Sequence, residues 1–371
     1  MKAELNIGII GAGSFAAFAT QSFLKIKGIK IIAVSDVNEH VGKQLAKKLS
    51  AKFFTAYDDL LVDTDVDLVY IATPPFLQFE ISKKSLLAGK HVLCEKPAAL
   101  RNSEVKELKI LAIKLKLLYV VNLMQRYNHL YKVIKFIIDQ KLMGNFLHGF
   151  FENYASDENL HKEHWFWDET KSGGIFIEHG VHFFDMFSGW LGKGLVIKSL
   201  QLQRKYLTTT IYDRVQATVL YDEGTVNFYH GFNQPKILDR QEMRLQFERG
   251  DITLYEWIPV KMKLHGLFTN EQLKKITELI GSCSIIKHNR SNQIKEKAIG
   301  KFADIIFDEH VTIKCGNRQE KQNRYQQMLM DMLQDQWSWI KNGNHIRIIT
   351  EDNAIEALSM AEHAKQIAQK F

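Results

Sequence analysis

Cysteine is scarce in this sequence, with three residues in a chain of 371: Cys94, Cys283 and Cys315. Their number is odd, their spacing is wide, and none of them falls in a metal-binding or redox motif. A disulfide framework is therefore not expected. We predict that the thiols are reduced, which is typical of a cytoplasmic protein.

Long apolar runs are also lacking. No stretch reaches the roughly 18 uninterrupted apolar residues of a membrane span. The apolar residues 7–19 resemble a signal-peptide core, but Glu4 precedes them and cleavage after Ala19 would destroy the glycine turn described below. We expect neither a membrane partner nor a secretory signal.

The sequence has no nucleic-acid-binding motif. Its net charge of +7 comes from 49 basic and 42 acidic residues, and the lysines are spread along solvent-like positions such as Lys43 and Lys47. We expect no nucleic-acid partner, although a phosphorylated or nucleotide-linked sugar would suit this charge. Hydrophobic residues make up 46% of the chain, which is enough for the cores of two domains.

A glycine-rich turn, Gly11-Ala12-Gly13, lies near the start of the chain. An apolar run of strand length precedes it, and residues 14–27 carry apolar side chains at helical spacing. Gly11 would allow a tight turn, Gly13 would let the backbone approach a pyrophosphate, and Ala16 would permit close packing of helix on strand. The free N–H groups of the first helical turn would then bind the phosphates.

An acidic residue follows the next predicted strand, residues 29–35. This residue, Asp36, lies close to the roughly 20-residue spacing expected of the acid that binds a ribose 2′-hydroxyl. Its carboxylate would repel a 2′-phosphate, so we predict NAD as cofactor in preference to NADP. A structural interpretation, in which Asp36 caps a turn or helix, stays open.

Strand, turn and helix alternate further along the chain. The apolar residues 66–73 end in Thr73-Pro74-Pro75, residues 81–88 form a predicted helix, and the apolar residues 91–94 end in Glu95-Lys96-Pro97. This alternation predicts a parallel, doubly wound sheet with its ligand at the carboxyl ends of the strands. A lysine at such an end is well placed to meet a substrate hydroxyl, which favours redox chemistry.

Three ordered segments resemble the Gfo/Idh/MocA oxidoreductases: Ala72-Thr73-Pro74-Pro75, the run from Ala88 to Glu95-Lys96-Pro97, and the stretch from Ser172-Gly173-Gly174 to Asp185. The resemblance implies an α/β protein with an N-terminal Rossmann domain and a C-terminal α/β domain that carries a large, mostly antiparallel sheet. It implies NAD(P)-dependent oxidation or reduction of a hydroxyl or carbonyl on a sugar, cyclitol or related polyol. It also implies a cis peptide bond between Lys96 and Pro97.

The resemblance extends to single positions. Gln78 follows the Thr-Pro-Pro turn where many members carry histidine, and Arg126 lies where the chain is expected to cross between domains. For Arg126, contact with the cofactor and an interdomain salt bridge are both open. The candidate cofactor-binding residues are Gly11, Gly13, Ser14, Phe15, Asp36, Thr73, Pro74, Pro75, Gln78, Glu95, Lys96 and Arg126.

A second group of chemically active side chains lies at Glu178, His182 and Asp185. If residues 178–190 are helical, these three share one face. By resemblance, His182 takes the place of the family's catalytic histidine and Asp185 that of its last acid, whereas Glu178 stands where members usually have aspartate. The candidate catalytic residues are Lys96, Glu178, His182 and Asp185.

A mechanism follows from these residue types. An alcohol must lose its hydroxyl proton as hydride leaves carbon, and histidine is the usual base for that step. Lys96 would stabilise the developing negative charge, while Glu178 and Asp185 would orient the imidazole or bind neighbouring hydroxyls. Packed structural roles for His182 and Asp185 are the competing interpretation.

Metal binding is an alternative use of nearby residues, because imidazole and carboxylate suit zinc. The candidates close together in sequence are His161, His164, Glu178, His179 and His182. The His161 to His164 spacing does not match a His-Glu-x-x-His helix, so no metal is expected. Residues 161–167 are predicted to form a loop that borders the site. Trp165 and Trp167 there would either stack on a sugar or pack in the core.

We predict two domains, a Rossmann domain at residues 1–122 and a substrate-binding and oligomerisation domain at 123–371. Five strand-like runs would build the second sheet: residues 146–154, 196–202, 214–221, 224–231 and 243–248. Residues 270–323 carry no motif and are expected to form an insertion or edge, and two helices are predicted at 323–341 and 351–370. By resemblance, we expect a homodimer or homotetramer.

Two other functions fit the same fold. The family includes non-catalytic NAD-binding regulators, although the presence of both Lys96 and His182 argues against that role here. It also includes NAD-dependent glycosidases, which oxidise, eliminate and then restore the sugar. The identity of the substrate is not encoded in any local pattern of this sequence.

Overall fold

The structure is a computed structural model that describes residues 4–157, 160–204, 211–288, 296–300 and 304–371. The chain forms two compact units. The first contains the chain up to Tyr127 together with Lys162–Asp185 and Gln326–Lys365. The second contains Asn128–His161, Met186–Tyr325 and Gln366–Phe371.

This grouping differs from a single division after residue 122, because C-terminal helical residues make contacts within the first unit. The Asn102 backbone N–H donates a hydrogen bond to the Glu362 carboxylate at 2.9 Å. Lys109 forms an ion pair with Asp352 at 2.5 Å. The first unit is therefore assembled from three separate stretches of chain.

The first unit contains a six-stranded sheet in the order β3-β2-β1-β4-β5-β6. Every pairing is parallel, and the central strands are buried, as expected for a sheet covered on both faces. The order reverses between β1 and β4, which is where ligands bind in doubly wound sheets. The strands are β1 (Leu5–Ile10), β2 (Ile29–Ser35), β3 (Lys52–Phe54), β4 (Leu68–Ile71), β5 (His91–Cys94) and β6 (Tyr119–Val121).

The predicted parallel, doubly wound sheet is confirmed, but several helix boundaries move. The first helix ends at Phe23 instead of residue 27, and the helix predicted at 81–88 already begins at Pro75. Proline suits the first turn of a helix because the N–H that it lacks has no intrahelical partner there. The helices are α1 (Ser14–Phe23), α2 (Glu39–Leu49), α3 (Tyr57–Leu61), α4 (Pro75–Leu87), α5 (Asn102–Leu115), α6 (His129–Asp139), α7 (Glu169–Ser172), α8 (Val181–Leu191), α9 (Asn270–Ile280), α10 (Lys321–Lys341) and α11 (Glu351–Gln366).

The second unit contains a ten-stranded sheet in the order β14-β17-β13-β12-β11-β7-β10-β9-β8-β18. Most pairs are antiparallel; β10 with β7 and β18 with β8 are parallel. Strands β15 and β16 pair antiparallel as a separate two-stranded sheet. The strands are β7 (Phe146–Ala155), β8 (Leu195–Gln203), β9 (Tyr212–Leu220), β10 (Thr225–Phe232), β11 (Arg240–Phe247), β12 (Gly250–Tyr255), β13 (Lys261–Phe268), β14 (Cys283–Lys287), β15 (Glu296–Ile299), β16 (Asp304–Phe307), β17 (Glu309–Gly316) and β18 (Gln369–Lys370).

Alternating burial explains why the five predicted strands of this sheet are observed. In β9, for example, Val215, Ala217 and Val219 are fully buried while the residues between them are partly exposed. The prediction that residues 270–323 form an insertion or an edge of the sheet is correct only in part. Strand β14 is the edge strand, whereas β17 lies inside the sheet and pairs with both β13 and β14. The helix predicted to reach residue 370 ends at Gln366, and the last residues pair as β18.

In the described part of the chain, no helix combines the length and the apolarity that a membrane crossing requires.

Candidate active site

The glycine turn after β1 has the conformation that a dinucleotide turn needs. Gly11 has a φ of +92°, and a Cβ atom there would lie 2.7 Å from the carbonyl oxygen of Ala72. A side chain at this position would therefore be strained and would clash with the end of β4. At Gly13 a Cβ would meet nothing within 4 Å, so the backbone faces open space.

Helix α1 begins directly after this turn, with Gly13 as its N-cap. Ala16 is fully buried, as expected of the small residue that lets the helix approach the sheet. Ser14 is exposed and Phe15 is half-buried. The first helical turn has no acidic side chain, so nothing negative opposes an anion at the positive end of the helix dipole.

Asp36 lies beside the glycine turn. Its Oδ2 accepts a hydrogen bond of 2.7 Å from the backbone N–H of Ala12, and its Oδ1 accepts one of 2.7 Å from Asn38. These two bonds fix the carboxylate at the carboxyl end of β2. The sequence predicted the position of this acid, and the bond to Ala12 shows how it is held against the turn.

The loops after β4 and β5 are joined by Gln78. Its amide nitrogen donates a hydrogen bond of 3.0 Å to the Thr73 carbonyl, and its amide oxygen accepts one of 3.0 Å from the backbone N–H of Ala98. Gln78 lies in the first turn of helix α4, which begins at Pro75 with Pro74 as its N-cap. The side chain is buried, with 1% of the residue exposed. Gln78 thus ties the two loops together, and its contact with the cofactor stays a prediction.

The Lys96-Pro97 peptide bond is cis, as the resemblance implied. Just before it, Glu95 is buried, and its Oε1 accepts hydrogen bonds of 2.7 Å from the Tyr70 hydroxyl and from the Asn122 side chain. Burial raises the pKa of Glu95, while these two bonds and the Lys96 charge oppose that shift. Glu95 therefore acts as a buried support behind Lys96.

The ammonium group of Lys96 is held by Glu178. It donates a hydrogen bond of 2.8 Å to the Glu178 backbone carbonyl and forms an ion pair with the Glu178 carboxylate. The two side chains are 18% and 12% exposed. The sequence predicted both residues as catalytic, and the structure brings them into direct contact.

A π-helical segment, Phe176–Gly180, carries Glu178 and precedes α8. The turn before it contains two glycines with positive φ, Gly173 at +81° and Gly174 at +86°. The helix considered for residues 178–190 is observed in two forms: the chain is π-helical up to Gly180 and α-helical from Val181 to Leu191. Such π segments often occur at functional sites, and in this one the Glu178 carbonyl accepts the hydrogen bond from Lys96.

His182 lies in the first turn of α8 and is 7% exposed. Burial disfavours the imidazolium form, and the nearby Lys96 charge adds to this effect, so the pKa of His182 lies well below its ordinary value of 6.5. The ring is therefore neutral at physiological pH. A neutral imidazole can accept a proton, which is what the predicted base requires.

Asp185 is engaged by Arg126. The guanidinium Nε and Nη2 donate hydrogen bonds of 3.0 Å and 2.8 Å to Asp185 Oδ1, and Asp185 is 1% exposed. Burial raises the pKa of this carboxyl, and Arg126 opposes the shift. Both residues belong to the first unit, so this ion pair is internal to that unit and links the end of β6 to α8.

The histidines considered for a metal are not gathered into a metal site in the described ranges. Within the described ranges, no group of three or more His, Cys, Asp or Glu side chains is placed to hold a metal ion. His164 instead caps a short 3-10 helix, Trp165–Trp167, by accepting a hydrogen bond of 3.3 Å from Phe166. The predicted loop at 161–167 therefore contains one helical turn with half-buried aromatic rings.

Sequence reasoning missed two residues behind the site. Asn122 directly follows β6, and its place at the carboxyl end of a parallel strand was the available signal. Tyr70 lies within the buried strand β4, where nothing in the pattern distinguishes it from a core residue. Both donate hydrogen bonds to Glu95 and so support the loop that carries Lys96.

Two family models match the chain. One, described as an oxidoreductase family with an NAD-binding Rossmann fold, matches residues 5–123; the other, the GFO/IDH/MocA C-terminal domain, matches residues 131–253. The chain belongs to the Gfo/Idh/MocA oxidoreductase family. This assignment to the Gfo/Idh/MocA family rests on family-model matches in both domains. It agrees with the resemblance noted for the Glu95-Lys96-Pro97 segment.

Curated relatives of this Gfo/Idh/MocA chain include two Bacillus subtilis proteins. The glucose-6-phosphate 3-dehydrogenase is 27% identical over 222 residues, which is 59% of this chain and 62% of the relative. The uncharacterized oxidoreductase YrbE is 29% identical over 189 residues, which is 50% of this chain and 53% of the relative. The chain therefore spans less than two thirds of the length of either relative.

Solved structures share the fold over nearly the whole chain. The WlbA dehydrogenase from Bordetella pertussis, solved with NADH and UDP-GlcNAcA, gives a TM-score of 0.79 at 14% identity and covers 99% of this chain and 96% of that one. The 3-ketoreductase KijD10 from Actinomadura kijaniata, solved with NADP and TDP-benzene, gives 0.75 at 14% identity with 99% coverage of both chains. At this identity the likeness establishes the fold.

Proposed function

We propose that this protein is an NAD(P)-dependent dehydrogenase or reductase that moves hydride between nicotinamide and a hydroxyl or carbonyl carbon of a sugar, cyclitol or sugar derivative. The observation that carries the proposal is the placement of Lys96. Its ammonium group is fixed by Glu178 and lowers the pKa of the buried His182. A fixed cation beside a neutral imidazole suits the removal of a hydroxyl proton.

His182 is the proposed general base for oxidation and the general acid for reduction. Because its pKa is lowered, it is available in the neutral form across the physiological range. A base whose pKa lies far below that of an alcohol needs help to take the proton. The Lys96 charge provides that help by stabilising the oxygen as it becomes negative.

Glu178 and the Arg126–Asp185 pair are proposed to position these groups. Glu178 holds the Lys96 side chain through both its carboxylate and its backbone carbonyl. Arg126 anchors Asp185 one turn along α8 from His182. Since a reacting group misplaced by about 1 Å can lose about a hundredfold in rate, such anchoring contributes to turnover without contact with the substrate.

The residues around the glycine turn fit a dinucleotide. Gly11 admits no Cβ, Gly13 faces open space, and the start of α1 offers N–H groups to a pyrophosphate. Asp36 lies beside this turn. Its carboxylate would bind a ribose 2′-hydroxyl and would repel a 2′-phosphate, so we propose a preference for NAD. A bound nicotinamide would supply the hydride acceptor or donor, and Thr73, Pro74 and Pro75 would border its ring.

The substrate class is proposed from the relatives. One relative is named for a sugar phosphate, and one structural neighbour was solved with a nucleotide sugar. We therefore propose a sugar or sugar derivative as the substrate. From the family resemblance we also propose an assembly of two or four copies, and light scattering of the purified chain would measure it.

The test is a titration of the purified protein with NADH and NADPH by fluorescence, followed by assays at the nicotinamide absorbance band with polyols, aldoses and nucleotide sugars. We expect tight NADH binding and turnover on a member of this panel. Lys96→Met and His182→Asn should each lower kcat by about a hundredfold or more with NADH binding retained. The exposed Lys106→Met serves as the matched control and should keep full activity.

Other outcomes would point elsewhere. Cofactor binding without turnover on any panel member would favour a regulatory protein. Release of a free sugar without net NADH formation would indicate a glycosidase. Near-full turnover in both Lys96→Met and His182→Asn would show that the proposed mechanism is wrong.

A further inference from the structure

Three lysines of the second unit share one face of the ten-stranded sheet. Lys261 and Lys263 are two positions apart in β13, so their side chains point to the same side. Lys263 lies directly opposite Lys314 of β17. Lys314 in turn lies opposite Ser284 of the edge strand β14.

These lysines lie together, and two acids of the same face, Asp251 and Glu242, lie 3.8 Å and 3.7 Å from Arg244. Like charges directly opposite each other in a sheet are destabilising, yet within the described ranges no ion pair involves Lys261, Lys263 or Lys314. Neighbouring lysines of the same unit are paired: Lys287 with Glu309, and Lys321 with Glu256 at 2.7 Å. The cluster therefore places three lysines without an ion pair close together on one face of the sheet.

The nearest turn offers no free carboxylate either. Glu256 follows β12, but it is shared between Lys321 at 2.7 Å and Arg318 at 2.9 Å. The Lys261 ammonium group instead lies over the ring of its cross-strand partner Tyr255, 5.4 Å from the ring centroid. A cation–π contact of this kind orients the ammonium group without removing its charge.

The three lysines line a surface cavity of about 820 Å³, together with Tyr255, Ser282 and Ser284. No Asp or Glu is among its lining residues. This volume is within the range of small-molecule sites. The Ser284 hydroxyl donates a hydrogen bond of 3.4 Å to the Lys314 carbonyl, so the ammonium groups and the exposed Ser282 are the groups best able to donate to a ligand.

We propose that this cavity binds a phosphate-bearing small molecule through Lys261, Lys263 and Lys314. Ammonium groups bind phosphate oxygens by charge-assisted hydrogen bonds, and a phosphate between Lys263 and Lys314 would relieve their mutual repulsion. All of these residues belong to the second unit, whereas Lys96, Glu178 and His182 belong to the first. The proposal therefore does not rest on the proposed redox activity.

The test is calorimetric titration of the full chain with inorganic pyrophosphate, with a thermal melt in parallel. We expect saturable binding and a pyrophosphate-dependent rise in Tm. The double variant Lys263→Gln/Lys314→Gln should weaken binding by about tenfold or more, since each charge-assisted hydrogen bond is worth about a factor of ten. It should also lose the ligand-induced rise in Tm.

The matched control removes the same charge elsewhere on the second unit. Lys198→Gln/Lys236→Gln changes two exposed lysines and should leave pyrophosphate binding unchanged. Circular dichroism would verify folding, and Lys314→Gln alone replaces the double variant if the latter does not fold.

Several outcomes would overturn the proposal: no binding by the natural sequence, equal weakening in the control pair, or loss of pyrophosphate binding at saturating NADH. The last result would assign the binding to the glycine turn. Tighter binding of a single-stranded oligonucleotide than of pyrophosphate, lost in the double variant, would show instead that the cluster is a nucleic-acid surface.

Discussion

The Lys96 ammonium group donates a hydrogen bond to the backbone carbonyl of Glu178, 2.8 Å away, and forms an ion pair with the carboxylate of the same residue. One residue thus holds the lysine at two points. Glu178 lies in the π-helical segment Phe176–Gly180. The geometry of Lys96 is therefore coupled to the form of the backbone around Glu178.

Glu178→Gln is expected to lower kcat/KM by about tenfold to a hundredfold, because the variant keeps the carbonyl contact but loses the charge that fixes Lys96. Steady-state kinetics on the panel substrate would measure this. Glu178→Asp should recover part of the rate, since it restores the charge. The control Glu107→Gln breaks an exposed ion pair with Lys83 and should leave the rate unchanged; equal rates for Glu178→Gln and the natural sequence would contradict the positioning role.

The pH dependence of oxidation should follow His182. The base must be neutral, and the neutral form is lost as pH falls through its pKa, which burial and Lys96 lower below 6.5. We therefore expect kcat/KM to stay constant from pH 8 to about 6.5 and to fall only at lower pH. In Lys96→Met one cause of the lowered pKa is gone, so the acid limb of the residual activity should move to higher pH. An acid limb above pH 7 in the natural sequence would exclude His182 as the base.

Asp36→Ala should weaken NADH binding about tenfold and raise the relative affinity for NADPH, because the variant loses a hydrogen bond to the ribose and the repulsion of a 2′-phosphate. Fluorescence titration with both cofactors measures the ratio. Asp59→Ala, at another exposed acid of the same unit, is the control and should leave the ratio unchanged. Stronger binding of NADPH than of NADH by the natural sequence would refute the preference.

Gln78→Ala is expected to destabilise the first unit by about 1–3 kcal/mol, because it leaves the buried Ala98 N–H without its acceptor. Urea unfolding would measure the free energy. The exposed Gln44→Ala, which changes a side-chain contact within α2, should remain within about 0.5 kcal/mol of the natural sequence. A stable Gln78→Ala variant with lowered cofactor affinity would instead support direct contact with the dinucleotide.

Much of the fold follows from local patterns in the sequence. Continuous apolar runs indicated the buried parallel strands, and alternation in segments such as β9 indicated the second sheet. Strand β17 was missed because its alternating pattern of apolar residues is short: only Val311 and Ile313 are fully buried on the inner face. Its place inside the sheet depends on pairing with β13 and β14, which no local pattern encodes.

The sequence indicated candidate site residues one by one but not the contacts between them. Lys96, Glu178 and His182 were identified singly, whereas the contact between Lys96 and Glu178 joins positions 82 residues apart. Arg126 and Asp185 are 59 residues apart, and neither was predicted as the partner of the other. The π-helical segment has no composition signal of its own, since its shape depends on the glycine turn before it and on what Glu178 contacts.

The three-part assembly of the first unit has a consequence for synthesis on the ribosome. All six strands of its sheet are complete at Val121, but Glu178 is translated much later and Gln326–Lys365 later still. Lys96 therefore leaves the ribosome 82 residues before the partner that holds it. The residues of the glycine turn are translated before all of the proposed catalytic residues, and the last stretch of the unit only after them.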